Sequence, residues 1–84
     1  MLVLVKVFSK NHCPKCRMTK SMLEREGVSF DETNVEEVEN GEEVITELKS
    51  RGLSSMPIVE YGDEVITGFN PSKLNEMIVK VKEG

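Results

Sequence analysis

Apolar and polar positions follow one another along the chain in blocks that predict strands and helices in turn. Residues 2–8 are nearly all apolar or β-branched, as in a strand buried on both faces, and the polar residues 9–12 follow as a loop. Pro14 suits the first turn of a helix, where its missing N–H leaves no hydrogen bond unmade. That helix ends near Gly27, a common C-terminal cap. Residues 28–35 begin with apolar–polar alternation, which predicts a second strand.

The second half of the chain predicts another helix and a hairpin. Residues 36–41 are acidic and unpatterned, and we expect them to form a loop. A short helix follows and ends near Gly52; its apolar positions are Val44, Ile45 and Leu48. Residues 56–60 and 64–67 flank a Tyr-Gly-Asp turn at 61–63, a pattern typical of a β-hairpin.

The last segment predicts a C-terminal helix and completes the topology. Asn70 is a good N-cap and Pro71 fits the first helical position. Apolar residues then recur at helical spacing, namely Leu74, Met77, Ile78 and Val81. The order β-α-β-α-β-β-α indicates an α/β fold with a four-stranded mixed sheet flanked by three helices. We expect the first strand to be central and to deliver Cys13 to the edge where ligands gather in such sheets.

Composition and charge fit a single domain over residues 1–84. The chain is 38% hydrophobic and 31% charged, which suffices for one core. A net charge of −4 leaves no basic excess to neutralise the phosphates of a nucleic acid. The longest apolar run, residues 2–5, is too short for a signal peptide or a membrane span. We therefore expect a cytoplasmic protein that binds neither nucleic acid nor membrane.

The two cysteines, Cys13 and Cys16, form a C-x-x-C pair and point to redox chemistry. A disulfide between them closes a loop so short that its entropic stabilisation is only about 2 kcal/mol, so structure is a poor reason for it. At the start of a helix, free backbone N–H groups and the helix dipole favour a thiolate at Cys13. Cys16 lies one turn further in and is more shielded. We expect Cys13 to attack a disulfide and Cys16 to resolve the resulting mixed disulfide.

Charge is distributed unevenly along the sequence. Residues 1–23 contain five basic residues and no acid, whereas residues 26–47 contain nine acids and no base. This pattern predicts an electropositive reactive end that supports a thiolate and attracts acidic partners. The alternative is that both blocks are simply solvated surfaces, in which case Lys10 and Lys15 have no electrostatic role.

A metal site is the alternative that comes from another functional class. Zinc and iron–sulfur sites use the same C-x-x-C spacing, but zinc usually takes four ligands. The only histidine, His12, is adjacent to Cys13 and is poorly placed to complete a tetrahedron with both sulfurs. A second chain would have to supply the missing pair. A C-x-x-C that opens a helix directly after a buried strand favours a thioredoxin-like redox site instead.

Three segments together resemble the glutaredoxin family, and the resemblance covers essentially the whole chain. Residues 9–16, Ser-Lys-Asn-His-Cys-Pro-Lys-Cys, are similar to the glutaredoxin active-site segment. Residues 55–57, Ser-Met-Pro, are similar to the loop before the third strand. Residues 67–71, Thr-Gly-Phe-Asn-Pro, resemble the Ser-Gly-Phe-x-Pro segment of the NrdH-redoxins, which are glutaredoxin-like in sequence and thioredoxin-like in behaviour.

The resemblance implies roles for five further residues. Pro57 is expected to be cis, which exposes the Met56 backbone beside Cys13 to pair with an extended substrate segment. Gly68 allows close approach of a peptide or of glutathione, and Phe69 is either packing or part of recognition. Lys10 occupies the place of the lysine that contacts the glycine carboxylate of glutathione.

The resemblance also implies partners, and these differ between NrdH-redoxins and glutathione-dependent glutaredoxins. An NrdH-redoxin would be recharged by thioredoxin reductase and could reduce a class Ib ribonucleotide reductase. A glutaredoxin would be recharged by glutathione as co-substrate, but this chain has Asn70 where those proteins usually carry an acid for the γ-glutamyl ammonium. Ile66 stands where redoxins often have tryptophan, and Pro14-Lys15 replaces their polar pair. We expect a monomer without a bound cofactor.

Overall fold

The elements occur along the chain in the order that the sequence pattern predicts. The computed structural model describes residues 5–83. In this range the elements are β1 (Val5–Ser9), α1 (Pro14–Arg25), β2 (Phe30–Asn34), α2 (Gly41–Ser50), β3 (Ile58–Tyr61), β4 (Glu64–Thr67) and α3 (Pro71–Glu83). None of these helices is both long and apolar enough to cross a membrane.

The four strands form one mixed sheet in the order β2-β1-β3-β4. β1 pairs in parallel with β2 and antiparallel with β3, and β3 pairs antiparallel with β4. β1 is therefore an internal strand, as predicted. The β-α-β-α-β-β-α order with this four-stranded mixed sheet is the topology that the sequence predicts, and the one that the resemblance implies for a thioredoxin-like glutaredoxin fold.

The main hydrophobic core lies between one face of the sheet and the helices α1 and α3. The inward residues of β1, Val5 and Val7, are at most 1% exposed. They belong to a cluster of buried residues from strands β1, β3 and β4, helices α1 and α3, and the segment before β2. Its members are Val5, Val7, Leu23, Val28, Val59, Ile66, Leu74, Met77 and Ile78. α1 and α3 also contact each other. The apolar stripes of α1 and α3 thus pack against the sheet, and the two helices also pack against each other.

The opposite face of the sheet is next to α2. Phe8 of β1 pairs with Ile58 of β3, and both side chains point away from the main core because they alternate with Val7 and Val59. On the same face, Glu60 lies 2.8 Å from the guanidinium of Arg51, which directly follows α2. This ion pair joins the end of α2 to the sheet.

The first strand differs from its prediction in two ways, and residues 2–4 lie outside the described range. Ser9, predicted to be in a loop, is the last residue of β1 because it pairs with Asn34 of β2. The strand is also not buried on both faces. Lys6 is exposed, with Asp31 and Glu60 as its neighbours on the adjacent strands. Opposite charges on either side make this position favourable for lysine.

Three other boundaries also shift. β2 covers residues 30–34 rather than 28–35. β3 begins at Ile58 rather than at residue 56, since Pro57 has no N–H to contribute to the ladder. α2 begins at Gly41, which was predicted to lie in the loop. A side chain at Gly41 would collide with the backbone carbonyl of Val35, so only glycine allows the helix to start so close to the end of β2.

Candidate active site

Three segments meet at one edge of the sheet, and each carries residues of the predicted site. Ile58, the first residue of β3, pairs both with Phe8 near the end of β1 and with Thr67 at the end of β4. The loop before α1, the segment before β3 and the turn after β4 therefore leave the sheet side by side. This register brings the cysteine pair, residues 56–57 and residues 68–69 to the same edge.

The cysteines are disulfide-bonded, and they differ in exposure. Their Cα atoms are 5.2 Å apart, within the normal range for a disulfide. Cys13 is the N-cap of α1, and its Sγ accepts a hydrogen bond from the Cys16 N–H at 3.1 Å. Cys13 is 8% exposed and Cys16 only 1%. Cys13 is therefore the more accessible of the two residues, which is the asymmetry that the expected roles require.

The start of α1 is electrostatically suited to a thiolate. Pro14 occupies the first turn, which contains no acid, and the carbonyl of Cys13 accepts the N–H of Arg17 at 3.1 Å. Lys15 and Arg17 are exposed on either side of Cys16. A thiolate at Cys13 would keep the Cys16 N–H as donor and lie at the positive end of the helix dipole.

The residues before β3 and after β4 are joined directly. The Met56–Pro57 peptide bond is cis, and the Pro57 carbonyl accepts the N–H of Gly68 at 2.8 Å. Gly68 has a φ of +71°, a conformation that suits glycine, and a Cβ placed there would meet no atom within 4 Å. Met56 precedes the paired residues of β3 and is half-buried. The backbone of Gly68 thus borders open space, next to the segment that carries Met56.

Phe69 faces α1 rather than the interior of the sheet. It is half-buried and borders a groove on α1 together with Met18 and Met22. Met18 is 46% exposed. The next residue, Asn70, caps α3 as predicted, with its side-chain oxygen accepting the Lys73 N–H at 3.1 Å. Phe69 is therefore placed to contact both α1 and anything that binds beside it.

Lys10 is exposed at the same edge, directly after β1, and its neighbour Asn11 anchors the active-site loop. The Asn11 N–H donates to Glu36 Oε1 at 2.6 Å and its Nδ2 donates to Glu37 Oε2 at 2.8 Å. Asn34 Nδ2 donates to Asn11 Oδ1 at 3.0 Å, and Asn34 Oδ1 accepts the Glu36 N–H at 2.9 Å. Two acids of the predicted acidic block thus lie against the reactive loop, which the charge blocks along the sequence did not predict.

The rule for parallel strands could have found this contact. Asn11 follows β1, and residues 34–37 follow β2, which runs parallel to it. The carboxyl ends of parallel neighbours meet at one edge of a sheet, so polar residues after both strands come together. The pairing of individual side chains, however, depends on loop geometry that no pattern of residue types specifies.

A second polar network lies beneath the active-site loop. Ser9, only 1% exposed, donates from its hydroxyl to Glu32 Oε2 at 2.6 Å, and Lys20 Nζ of α1 donates to the same oxygen at 2.8 Å. Partial burial acts to raise the pKa of Glu32, but the hydrogen bonds from Lys20 and Ser9 outweigh it. The pKa of this carboxyl is therefore below its ordinary value of 4.5. The network ties α1 to both parallel strands.

The Glu32 network predicts a pH-dependent contribution to stability. A carboxyl whose pKa is lower in the folded than in the unfolded chain stabilises the fold above its unfolded pKa, and this stabilisation is lost as the pH falls through the folded pKa. We expect Glu32→Gln to lower the free energy of unfolding at pH 7 and to have a smaller effect at about pH 3. Urea unfolding at both pH values measures the difference. An equal loss in the free energy of unfolding at both pH values would contradict this role.

No group of three or more His, Cys, Asp or Glu side chains within residues 5–83 is arranged to hold a metal ion. His12 is exposed and has a φ of +55°, an uncommon backbone conformation in which histidine is enriched. Its ring is one residue from Cys13, at the surface of the loop. A metal site at the cysteine pair would need ligands from another molecule.

Comparison with known proteins agrees with this geometry. A glutaredoxin family model matches residues 5–66, which include both cysteines and the residues up to β4. The chain belongs to the glutaredoxin family. A relative from Lactococcus lactis subsp. lactis (strain IL1403), the glutaredoxin-like protein NrdH, is 34% identical over 74 residues, which cover 88% of this chain and 99% of the relative. Similarity to NrdH proteins thus extends well beyond the cysteine pair.

Solved structures of other glutaredoxin-family members resemble this one. The glutaredoxin grx-1 from Archaeoglobus fulgidus superposes with a TM-score of 0.83 at 34% identity, covering 92% of this chain and 87% of that one. NrdH-redoxin from Escherichia coli, described as a glutaredoxin-like protein with a thioredoxin-like activity profile, gives a TM-score of 0.78 at 30% identity, covering 87% and 92%. The protein is therefore a glutaredoxin-like redox protein of the NrdH type.

Proposed function

We propose that this protein is a small dithiol carrier that reduces disulfides in other proteins. The observation that supports it most is the asymmetry of the cysteine pair. Cys13 is the more accessible sulfur, and it lies at the N-terminus of α1 with a hydrogen-bond donor directed at it, whereas Cys16 is shielded within bonding distance. One more accessible sulfur with a more shielded partner is the arrangement that suits thiol–disulfide exchange through a mixed disulfide.

The reaction proceeds in two exchange steps. The Cys13 thiolate attacks one sulfur of the substrate disulfide, forms a mixed disulfide and expels the other substrate sulfur as a thiolate, which takes up a proton. Cys16, deprotonated, then attacks Cys13 Sγ and releases the second substrate thiolate, leaving the Cys13–Cys16 disulfide. Two electrons pass from the carrier to the substrate, and a reductant must restore the dithiol.

The residues beside Cys13 bind the substrate. The Met56 backbone precedes Pro57 and the paired residues of β3, and it can pair with an extended substrate segment as an added strand would. Gly68, held by the Pro57 carbonyl, leaves room for that segment, and Phe69 contacts it from the side of α1. Apart from the aromatic ring, these contacts are made by the backbone, which suits a carrier that accepts substrates of different sequence.

We assign thioredoxin reductase as the reductant and a class Ib ribonucleotide reductase as an acceptor. The support is the NrdH name of the Lactococcus relative and the thioredoxin-like activity profile stated for the Escherichia coli structure. We also propose a cytoplasmic location, where disulfides are mostly transient and catalytic. Residues 1–84 act as one glutaredoxin-like domain, as a monomer and without a bound cofactor.

A glutathione-dependent glutaredoxin is the second candidate, and one observation favours it. Lys10 is exposed at the active-site edge, where it could bind a carboxylate of glutathione. This function would use glutathione as co-substrate in place of a protein reductase. It can be carried out by Cys13 alone, because glutathione itself can resolve the mixed disulfide.

Replacement of the resolving cysteine distinguishes these functions. We expect Cys16→Ser to lose turnover with protein disulfides and to accumulate mixed disulfides through Cys13, since no internal thiol remains to release them. Non-reducing electrophoresis with a disulfide-bonded protein substrate measures the trapped species. The double variant Cys13→Ser/Cys16→Ser is the control and should trap nothing. Full turnover of Cys16→Ser with glutathione and glutathione reductase would favour the second candidate instead.

A further inference from the structure

An open groove runs along α1 next to the active-site edge. Its apolar lining includes Met18, Met22 and Phe69, and the charged residues that border it are Arg17, Glu24 and Arg25. Phe69 directly follows Gly68, whose N–H is held by the Pro57 carbonyl, and the Arg17 N–H donates to the carbonyl of Cys13. This α1 groove therefore continues the surface beside the cysteine pair.

The two methionines give the α1 groove an adaptable apolar surface. Met18 and Met22 are four residues apart, so they lie one above the other on the same face of the helix. Met22 packs partly against the main core, whereas Met18 is 46% exposed. Methionine side chains are flexible and polarizable, and they pack favourably against aromatic rings such as that of Phe69. The surface therefore suits an apolar side chain of a binding partner.

The charge on α1 indicates what else such a partner carries. The helix has four basic residues and one acid, although the whole chain has a net charge of −4. Lys20 is already paired with Glu32. Arg17 and Arg25, in contrast, form no ion pair with any residue in the range 5–83. Since Glu24 is adjacent to Arg25 and offsets its charge, Arg17 is the better placed of the two arginines to bind a carboxylate through two parallel hydrogen bonds.

We infer that the α1 groove is a second recognition site for the substrate protein, and that it binds an extended segment with an acidic and an apolar residue two positions apart. Side chains at this spacing point to the same side of an extended strand, about 7 Å apart. The carboxylate binds Arg17 while the apolar side chain packs against Met18 and Phe69. The inference rests on the proposed function, in which the contacts at Met56 and Gly68 are made by the backbone and do not select a sequence. The α1 groove supplies that selectivity.

The experiment measures single-turnover reduction of disulfide-bonded peptides by the pre-reduced protein. Each reaction converts one peptide disulfide to a dithiol and the protein dithiol to the Cys13–Cys16 disulfide, so no reductase is needed. Three synthetic peptides contain one intramolecular disulfide flanked on both sides by the same segment, which is Asp-Ser-Leu, Asn-Ser-Leu or Asp-Ser-Ala. Bis(2-hydroxyethyl) disulfide, which is neutral and has no segment to bind in the groove, measures the reactivity of Cys13 itself.

We expect the wild type to reduce the Asp-Ser-Leu peptide about five- to tenfold faster than either altered peptide. Arg17→Gln should remove the preference for Asp over Asn, and Met18→Gln the preference for Leu over Ala. Each rate is divided by the rate of the same variant with bis(2-hydroxyethyl) disulfide, so that a change in the reactivity of Cys13 cancels. The matched controls, Lys49→Gln on α2 and Val79→Gln on α3, replace an exposed cation and an exposed apolar residue outside the groove and should retain both preferences.

Measurable but equal rates of the wild type with all three peptides would overturn the inference, as would preferences that survive both groove substitutions. A concentration-dependent dimer of the wild type that Met18→Gln dissociates, measured by sedimentation equilibrium, would also overturn it, because a second copy of the chain would then occupy the groove. Failure of the proposed function would instead abolish the reduction of every peptide and the trapping of mixed disulfides by Cys16→Ser.

Discussion

Cys13→Ser is expected to lose disulfide reductase activity by more than about a thousandfold, because a serine hydroxyl is not ionised at neutral pH and cannot form the mixed disulfide. Cys13 is the more accessible member of the pair, and Cys16 is the only other cysteine in the chain. The measurement is reduction of a protein disulfide by the pre-reduced variant. Loss of activity would place the first chemical step at the N-cap of α1.

The fold of this variant needs a separate control. Serine is a good N-cap and can accept the Cys16 N–H that Cys13 Sγ accepts now, so α1 should form normally. The far-ultraviolet circular dichroism of Cys13→Ser and that of reduced wild type should therefore coincide. Substantial activity in a folded Cys13→Ser protein would contradict the assignment of Cys13 as nucleophile and would point to Cys16 as the attacking thiol.

Leu23→Ala is expected to give the largest loss of stability among single truncations on α1, about 2–5 kcal/mol. Leu23 is 1% exposed and lies in the cluster between α1, α3 and the sheet, where removing its side chain leaves a cavity. Its carbonyl also accepts the Val28 N–H that ends the helix, a bond that the substitution retains. Urea unfolding of reduced wild type and variant measures the difference in the free energy of unfolding.

Met18→Ala is the matched control on the same helix. Met18 is 46% exposed, so its truncation should change the free energy of unfolding by no more than about 0.5 kcal/mol. A similar loss in both variants would show that side-chain entropy or helix propensity, rather than core packing, determines the stability of α1. A negligible loss in Leu23→Ala would contradict the position of the core.

The architecture could be predicted from the sequence because its signals are local. Pro14 and Asn70 mark helix starts, and the hairpin turn interrupts two apolar runs, so the order of elements follows from short stretches of chain. The ends of β1 and β3 could not be predicted as well, since they depend on pairing. Ser9 becomes part of a strand only because Asn34 lies opposite it. The close approach of Gly41 to Val35 is likewise a tertiary contact.

The candidate site likewise has parts that could be predicted from the sequence and parts that could not. The cysteine pair and the segments around Pro57 and Gly68 are recognisable because each is a short motif. The two polar networks were missed, since they join residues 23 to 26 positions apart, or 12 in the case of Lys20 and Glu32. The rule for parallel strands predicts that polar residues after β1 and β2 meet, but residue types alone do not specify which side chains pair.

Charge along the sequence illustrates this limit. The basic and acidic blocks are separate in sequence, and they predict either an electropositive reactive end or two solvated surfaces. In the structure Glu36 and Glu37 contact Asn11 of the active-site loop, and Lys15 and Arg17 are exposed on either side of Cys16 in the sequence, so residues of both signs belong to this edge. Electrostatic arguments about a site therefore need the fold as well as the composition.

Recycling of the oxidised protein tests the proposed function most directly. NADPH oxidation is followed with a protein disulfide as final acceptor, in one assay through thioredoxin reductase and in another through glutathione and glutathione reductase. We predict sustained turnover with thioredoxin reductase, only slow turnover with glutathione, and none in either assay with Cys13→Ser. Rapid turnover through glutathione alone would contradict the NrdH-type function and would assign the protein to the glutathione-dependent glutaredoxins.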